Sequence, residues 1–423
     1  MSTFVFKDYR FDEQSATATF HYGFDDGTEY EEKVTFKDVK PGYNAEVLDR
    51  ALFLSFILAG TSYFKTFPTP NVVFEKGGLD DWQAEFLNAV YQEGLSQFAF
   101  ENNLRRQDLA QFSAVGTHLQ ATAYDGEGVI ALQSGGKDSL LTASLLNEKN
   151  TGFTSWYIAN SAHYPALLDT LGAPLRTALR VIDREKLIDA SSRGGRNGHV
   201  PVTYIVASYA LIDAVLHGSN TLLLSIGHEG EEPHDWIDDL PVNHQWSKTW
   251  PAEQKFAEYV RRYLSPDIRI GSPLRSFSEL KIAELFVAHA WEKYGHTFSS
   301  CNRANYMQGA DNTQLKWCGE CPKCANSFIL FAPFLPAEEL KSLFNGQDLF
   351  EKPLLTETFK GLLGIDGVMK PFECVGETDE LRRAYHMAMA RGGYKPVPFD
   401  VPDSDFDYEK RYDSQGWANE MVQ

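Results

Sequence analysis

Positive charge is scarce in this chain: 39 lysines and arginines face 58 aspartates and glutamates, a net charge of −19. A protein that tracks a nucleic-acid backbone needs a basic face to neutralise phosphates, so the balance argues against RNA or DNA as substrate. Cysteine is scarce too, five in 423 residues with none before Cys301, which argues against a disulfide-built scaffold. Long apolar runs are missing. The strongest, roughly residues 51–60, is too short to span a bilayer and reads as a buried helix. The first twelve residues carry Lys7, Asp8, Arg10 and Asp12 instead of the apolar core of a signal peptide, so a cytoplasmic protein without a membrane partner is expected. What is present is an ordinary globular composition, 43% hydrophobic and 23% charged, with 29 Phe, 19 Tyr and 8 Trp to fill a core.

Residues 4–36 alternate apolar and polar side chains around the turn signal Asp25-Asp26-Gly27, which predicts a hairpin or small antiparallel sheet. Residues 44–60 and 79–113 read as helices, with Asp80 or Asp81 as cap. From Gly128 the texture changes to short apolar runs, 129–132, 154–159, 179–182 and 221–226, alternating with helical stretches such as 202–216. That alternation predicts a mostly parallel sheet covered on both faces, with ligands at the carboxyl ends of its strands. The reading gives three parts: an N-terminal α+β domain over 1–125, possible home of the substrate, an α/β domain over 126–330, and a helical extension over 331–423.

The chemistry concentrates in Ser134-Gly135-Gly136-Lys137-Asp138-Ser139, between the strand 129–132 and the helix that follows. Two glycines let backbone N–H groups close on a phosphate, the helix N-terminus adds partial positive charge, and Ser134, Ser139 and Lys137 add donors. Asp138 would repel a phosphate unless turned away or bridged by Mg²⁺. Two commoner phosphate loops are absent. A Walker loop needs Gly at 131 and Ser or Thr at 138, where Ala131 and Asp138 stand. The dinucleotide-like Gly126-Glu127-Gly128 precedes its strand instead of following it.

Four of the five cysteines form a second cluster: Cys301, then Cys318-Gly-Glu-Cys321-Pro-Lys-Cys324. Two successive C-x-x-C spacings suit a tetrahedral structural Zn²⁺ with Cys301 as fourth ligand, and an iron–sulfur cluster uses the same ligand type. A catalytic thiol at Cys301 is the competing reading. Further polar signatures are Gly198 to Thr203, Ser225 to Glu229, Val242 to Lys248, and Ser272 to Arg275. Among them His228, Glu229 and His244 are candidate acid–base groups, and Arg275 and Lys281 candidate phosphate or carboxylate partners.

Ser-Gly-Gly-Lys-Asp-Ser after a buried strand resembles the phosphate loop of the N-type ATP pyrophosphatases, a resemblance that implies a Rossmann-like, adenine nucleotide alpha hydrolase-like sheet. The cysteine pattern is similar to the zinc site of 7-cyano-7-deazaguanine synthase in the same superfamily. Phe4 to Tyr9, Phe298 to Asn302, Trp317 to Cys324, Ala332 to Leu335 and Lys370 to Glu377 together resemble the UDP-N-acetylmuramoyl-L-alanyl-L-glutamate epimerase family. This implies inversion of the terminal L-Glu of a UDP-muramoyl dipeptide to D-Glu, with ATP and Mg²⁺ activating its carboxylate as an adenylate and releasing AMP and pyrophosphate. Lys137 and the loop amides would then serve ATP. The rival readings are another adenylating enzyme of the superfamily, making a nucleobase nitrile or modifying tRNA, and a nucleotide sensor without turnover.

Overall fold

The structure, a computed structural model, describes residues 2–116, 120–161, 163–307 and 312–423. Its strands are β1 (Phe4–Asp12), β2 (Thr17–Phe24), β3 (Glu29–Thr35), β4 (Val72–Phe74), β5 (Val129–Leu132), β6 (Thr154–Ala159), β7 (Leu175–Ile182), β8 (Thr221–Leu223), β9 (Asp235–Ile237), β10 (Leu240–Val242) and β11 (Arg269–Gly271). Nine of them form one sheet in the order β11-β8-β5-β6-β7-β3-β2-β1-β4. The run from β11 to β7 is parallel throughout. The N-terminal strands add an antiparallel meander on the β7 side through β3, with Val34 opposite Arg180. The boundary expected near residue 125 therefore does not separate two sheets.

Glu32 on β3 secures that joint. Its carboxylate is fully buried and takes hydrogen bonds from Arg180 Nε on β7, at 2.6 Å, and from the Tyr209 hydroxyl. A buried charge of this kind is tolerable only because it is paired and hydrogen-bonded.

Successive side chains of a strand point to opposite faces, and the parallel strands split accordingly. Ile130, Trp156 and Leu222 enter one apolar cluster, while their neighbours Ala131, Tyr157 and Leu223 enter another. Burial on both faces explains why these strands are continuous apolar runs and do not alternate like β2 or β3.

Helix α1 (Ala45–Ala59) begins at Asn44, whose side chain accepts from the Glu46 and Val47 amides. It runs on through Gly60 to Phe64, longer than the apolar run in the sequence suggested. By length and composition it would cross a membrane, but 89% of its apolar stretch is buried inside the protein. Helix α2 (Asp81–Gln92) is capped by Asp80 in a reciprocal capping box with Gln83. The single helix expected over 79–113 ends there. A β-carbon on Gly94 would lie 2.4 Å from the Val90 carbonyl oxygen; the chain turns there, restarts as the short helix Ser96–Glu101, and turns again at Asn103, which takes a left-handed φ of 53°.

Four further helices build the site: α3 (Lys137–Glu148), α4 (Val202–Leu216), α5 (Glu279–His289) and α6 (Pro322–Phe331). Helix α4 joins the first apolar cluster; α3, α5 and α6 join the second.

Candidate active site

The chain leaves β5 toward β6 and β7 on one side and returns to β8 and β11 on the other. Strand order reverses beside β5, and the carboxyl ends of β5 and β8 open a crevice there. A cavity of about 350 Å³ occupies it, within the range that holds small ligands. Ser134, Gly136, Asp138 and Ser139 form one wall, Ser225 and Ile226 after β8 another. Thr203 at the start of α4 and Ser300, Asn302 and Tyr306 beside the cysteine cluster enclose it further.

The loop is built as the sequence predicts. Gly135 has φ of +78°, and a β-carbon there would come within 2.5 Å of Leu315 Cδ1, so only glycine fits. Gly136 occupies the N-cap of α3 and supplies no side-chain acceptor to the first-turn amides, which are left to a ligand or solvent. Ser139 Oγ bridges the loop, donating to the Gly136 carbonyl at 3.2 Å and accepting from the Ser134 amide at 3.3 Å. Tyr306 clamps it from above, its hydroxyl donating to the Ser134 carbonyl at 2.6 Å.

Lys137 does not line the cavity. Its side chain is 7% exposed, and Nζ is held by Asp138 Oδ1 at 2.5 Å and Glu279 Oε2 at 2.6 Å. Burial alone would lower its pKa, yet the two carboxylates keep it above the ordinary lysine value. Glu279, at the first turn of α5, is pushed up to about 7 by burial first and by Asp138 and Glu229 next, with Lys137 opposing. Like Lys323, Lys248 does reach the cavity. Burial pulls its pKa down, but Cys374, Glu229, Asp138 and Glu279 hold it above the ordinary value. Three carboxylates, Asp138, Glu229 and Glu279, and two ammonium groups, Lys137 and Lys248, thus stand together beside the crevice.

The remaining candidates lie around this centre without lining it. Arg275 is fully buried; its guanidinium is paired with Glu253 at 2.7 Å and donates to the Gly227 carbonyl at 2.7 Å. This fastens the end of β8 to helix Trp250–Tyr259, and the guanidinium does not line the cavity. Lys281 points outward to Glu284 and Glu409. His228 is stacked flat on Tyr412, ring centres 3.5 Å apart, and burial pushes its pKa down to about 4. Glu229 is 4% exposed and pairs with Lys248 at 3.3 Å. His244 Nδ1 lies 2.6 Å from Gln97 Oε1, its ring 4.3 Å from that of His199, and burial lowers it to about 4.

The cavity groups not singled out from the sequence are Gln133, Lys248, Tyr306, Lys323 and Cys374. Lys248 and Lys323 sat inside quoted motifs, but nothing in their spacing marked them as facing the strand ends.

Cys301, Cys318, Cys321 and Cys324 converge as the spacing predicted, with all four sulfurs within 4.8 Å of one another. Contacts of 3.5 Å (301–321), 3.6 Å (321–324) and 3.7 Å (318–324) are close to the ~3.8 Å that a tetrahedral ion with ~2.3 Å bonds to sulfur imposes. The thiols hydrogen-bond one another, which lowers the pKa of Cys301 to about 2 and raises that of Cys321 to about 12. A cation at the centre is what lets all four ionise together. The group is suited to hold a metal ion.

Comparison with known proteins agrees with this arrangement. Residues 1–272 match the family model described as the MurL N-terminal domain, and residues 297–399 the MurL C-terminal domain. The UDP-N-acetyl-alpha-D-muramoyl-L-alanyl-L-glutamate epimerase of Xanthomonas oryzae pv. oryzae (strain MAFF 311018) is 34% identical over 404 residues, 93% of this chain and 87% of that protein. The protein of the same name from Salinispora tropica is 32% identical over 94% of this chain and 87% of its own length. That of Micromonospora sp. is 31% identical, covering 94% and 89%. The chain belongs to the MurL family.

Proposed function

We propose that this protein is an ATP-dependent isomerase of peptidoglycan precursor synthesis. It inverts the terminal L-Glu of UDP-N-acetylmuramoyl-L-Ala-L-Glu to D-Glu through an acyl-adenylate, with AMP and pyrophosphate released. The observation that carries the reading is the Ser134–Ser139 loop at the carboxyl end of β5, opening onto the crevice where strand order reverses.

The chemistry explains why ATP is needed. Removing the α-hydrogen beside a free carboxylate would place a second negative charge on the same group. Adenylation cancels that charge and leaves an electron-withdrawing anhydride, so a base can take the proton. Reprotonation from the opposite face and hydrolysis give the epimer. The first-turn amides of α3 and the Ser134 and Ser139 hydroxyls are placed to hold phosphate oxygens, with Lys248 and Lys323 as the cavity's cations. Asp138 lines the cavity and would hold a Mg²⁺, which would offset the negative charge of the phosphates. Lys137 acts from beneath, holding Asp138 and Glu279 apart as a positioning residue.

The four cysteines suit a structural Zn²⁺. Three of the sulfur spacings are 3.5 to 3.7 Å and all four sulfurs lie within 4.8 Å of one another, which supports one central ion, whereas the inorganic core of an iron–sulfur cluster would push the ligands further apart. Lys323 lies between ligands Cys321 and Cys324 and donates to the Cys374 carbonyl at 2.7 Å. The metal would thereby hold one wall of the cavity in place.

The test is direct. With UDP-N-acetylmuramoyl-L-Ala-L-Glu, ATP and Mg²⁺, the protein is expected to form D-Glu product with stoichiometric pyrophosphate. In D₂O the product should carry deuterium at the glutamate α-carbon. Pyrophosphate release without deuterium uptake would exclude proton abstraction, and no pyrophosphate at all would exclude the adenylate.

A further inference from the structure

We propose that Cys374 exchanges the proton at the glutamate α-carbon, an assignment that rests on the acyl-adenylate reading above. Cys374 is the one cysteine outside the metal-suited cluster, and it lines the same cavity as the phosphate loop.

Its segment is pinned on every side. The Cys374 carbonyl accepts from Lys323 Nζ at 2.7 Å, the Val375 carbonyl from Gln245 Nε2 at 2.9 Å, and the Gly376 amide donates to Asn326 Oδ1 at 2.9 Å. Just before it, Glu373 accepts from Asn302 Nδ2 at 2.8 Å. Backbone held this firmly fixes where the side chain can go, and the thiol has no hydrogen-bond partner among the described residues.

A second observation marks the cavity as built for a ligand. Gln133, at the end of β5, is only 7% exposed and lines the cavity, yet among the described residues neither its amide nitrogen nor its amide oxygen has a partner. A buried amide left without a hydrogen bond carries its full desolvation penalty, so a polar ligand group belongs beside it.

The other ionisable side chains in the cavity are engaged. Asp138 holds Lys137, Tyr306 donates to the Ser134 carbonyl, and Lys323 donates to Cys374 itself. Lys248 is paired with Glu229 and contributes positive charge next to Cys374. Of the ionisable side chains that line the cavity, the Cys374 thiol is thus the one with no hydrogen-bond partner among the described residues.

In the forward reaction the Cys374 thiolate takes the α-proton and becomes a thiol. The C–H electron pair moves into the anhydride carbonyl, giving an enolate. A proton delivered to the opposite face, from water or a second acid in the cavity, restores the C–H bond. Cys374 then gives its proton to solvent, and water cleaves the anhydride.

The experiment uses full-length Cys374→Ser and Cys374→Ala with UDP-N-acetylmuramoyl-L-Ala-L-Glu, ATP and Mg²⁺. Three quantities are read: exchange of labelled pyrophosphate into ATP, deuterium uptake at the glutamate α-carbon, and bound metal. Pyrophosphate exchange and metal content should be retained, while deuterium uptake falls about 100- to 10,000-fold, the usual contribution of a general base. Deuterium uptake near the wild-type rate in either variant overturns the assignment. So does parallel loss of both activities in a folded, metal-replete variant, which would make Cys374 part of the ATP site. If the wild-type enzyme itself shows no pyrophosphate exchange, the adenylate reading fails, a separate result from either of these.

Discussion

Replacing Glu279 by glutamine, and Lys137 by methionine, separates the cost of the buried charge cluster from what it holds in place. Glu279 Oε2 accepts from Lys137 at 2.6 Å, while Oε1 is buried without a hydrogen-bond partner among the described residues. Burial, then Asp138 and Glu229, raises its pKa from the ordinary 4.5 to about 7. A folded-state pKa above the unfolded one means that the folded protein keeps a proton the unfolded chain releases. Stability from this group is therefore complete below pH 4.5 and is lost as pH rises to about 7. At ~1.4 kcal/mol per pH unit the separation amounts to about 3 kcal/mol. Glu279→Gln keeps the neutral shape at every pH, so urea denaturation should show the variant gaining on wild type across that window and levelling off above it. Lys137→Met does the opposite. It leaves Asp138 and Glu279 facing one another without their cation, and breaking a buried pair this way costs about 3–5 kcal/mol, most of all above neutral pH. Equal destabilisation by the two substitutions at alkaline pH would refute this account of the cluster.

Cys301→Ser should lose bound metal, read by elemental analysis, together with cooperative thermal unfolding of the C-terminal half. Unchanged metal with lost turnover would instead make Cys301 a reacting thiol. Gly135→Ala should weaken ATP binding at least about tenfold, or ~1.4 kcal/mol, measured by calorimetry. The added methyl meets Leu315 and strains a φ of +78°, and unchanged affinity would remove the loop from the nucleotide site.

Much of this protein is legible along the chain because its determinants are local. Strand β6 and helix α4 fall on the predicted residues 154–159 and 202–216, where apolar side chains recur at the matching period. The Ser134–Ser139 loop needs glycine at one left-handed position between a strand and a helix, and the cysteine cluster needs three thiols on one tight turn. Short-range geometry dictates both. Long-range placement follows other rules. Lys137 reads as a phosphate ligand until α5 brings Glu279 against it from 142 positions away. Arg275 reads as an anion partner until Glu253 neutralises it in the core. His228 reads as a base until the C-terminal segment lays Tyr412 across it. Which charge meets which is settled by how helices pack on the sheet, since a buried ion must find its counter-ion wherever the fold supplies one. The sequence by itself determined the glycine-bearing strand–loop–helix and the four thiols that share one centre. Only the tertiary structure decided that Gln133, Lys248, Lys323 and Cys374 line the same cavity, because they come from four separate segments that meet where the strand order reverses.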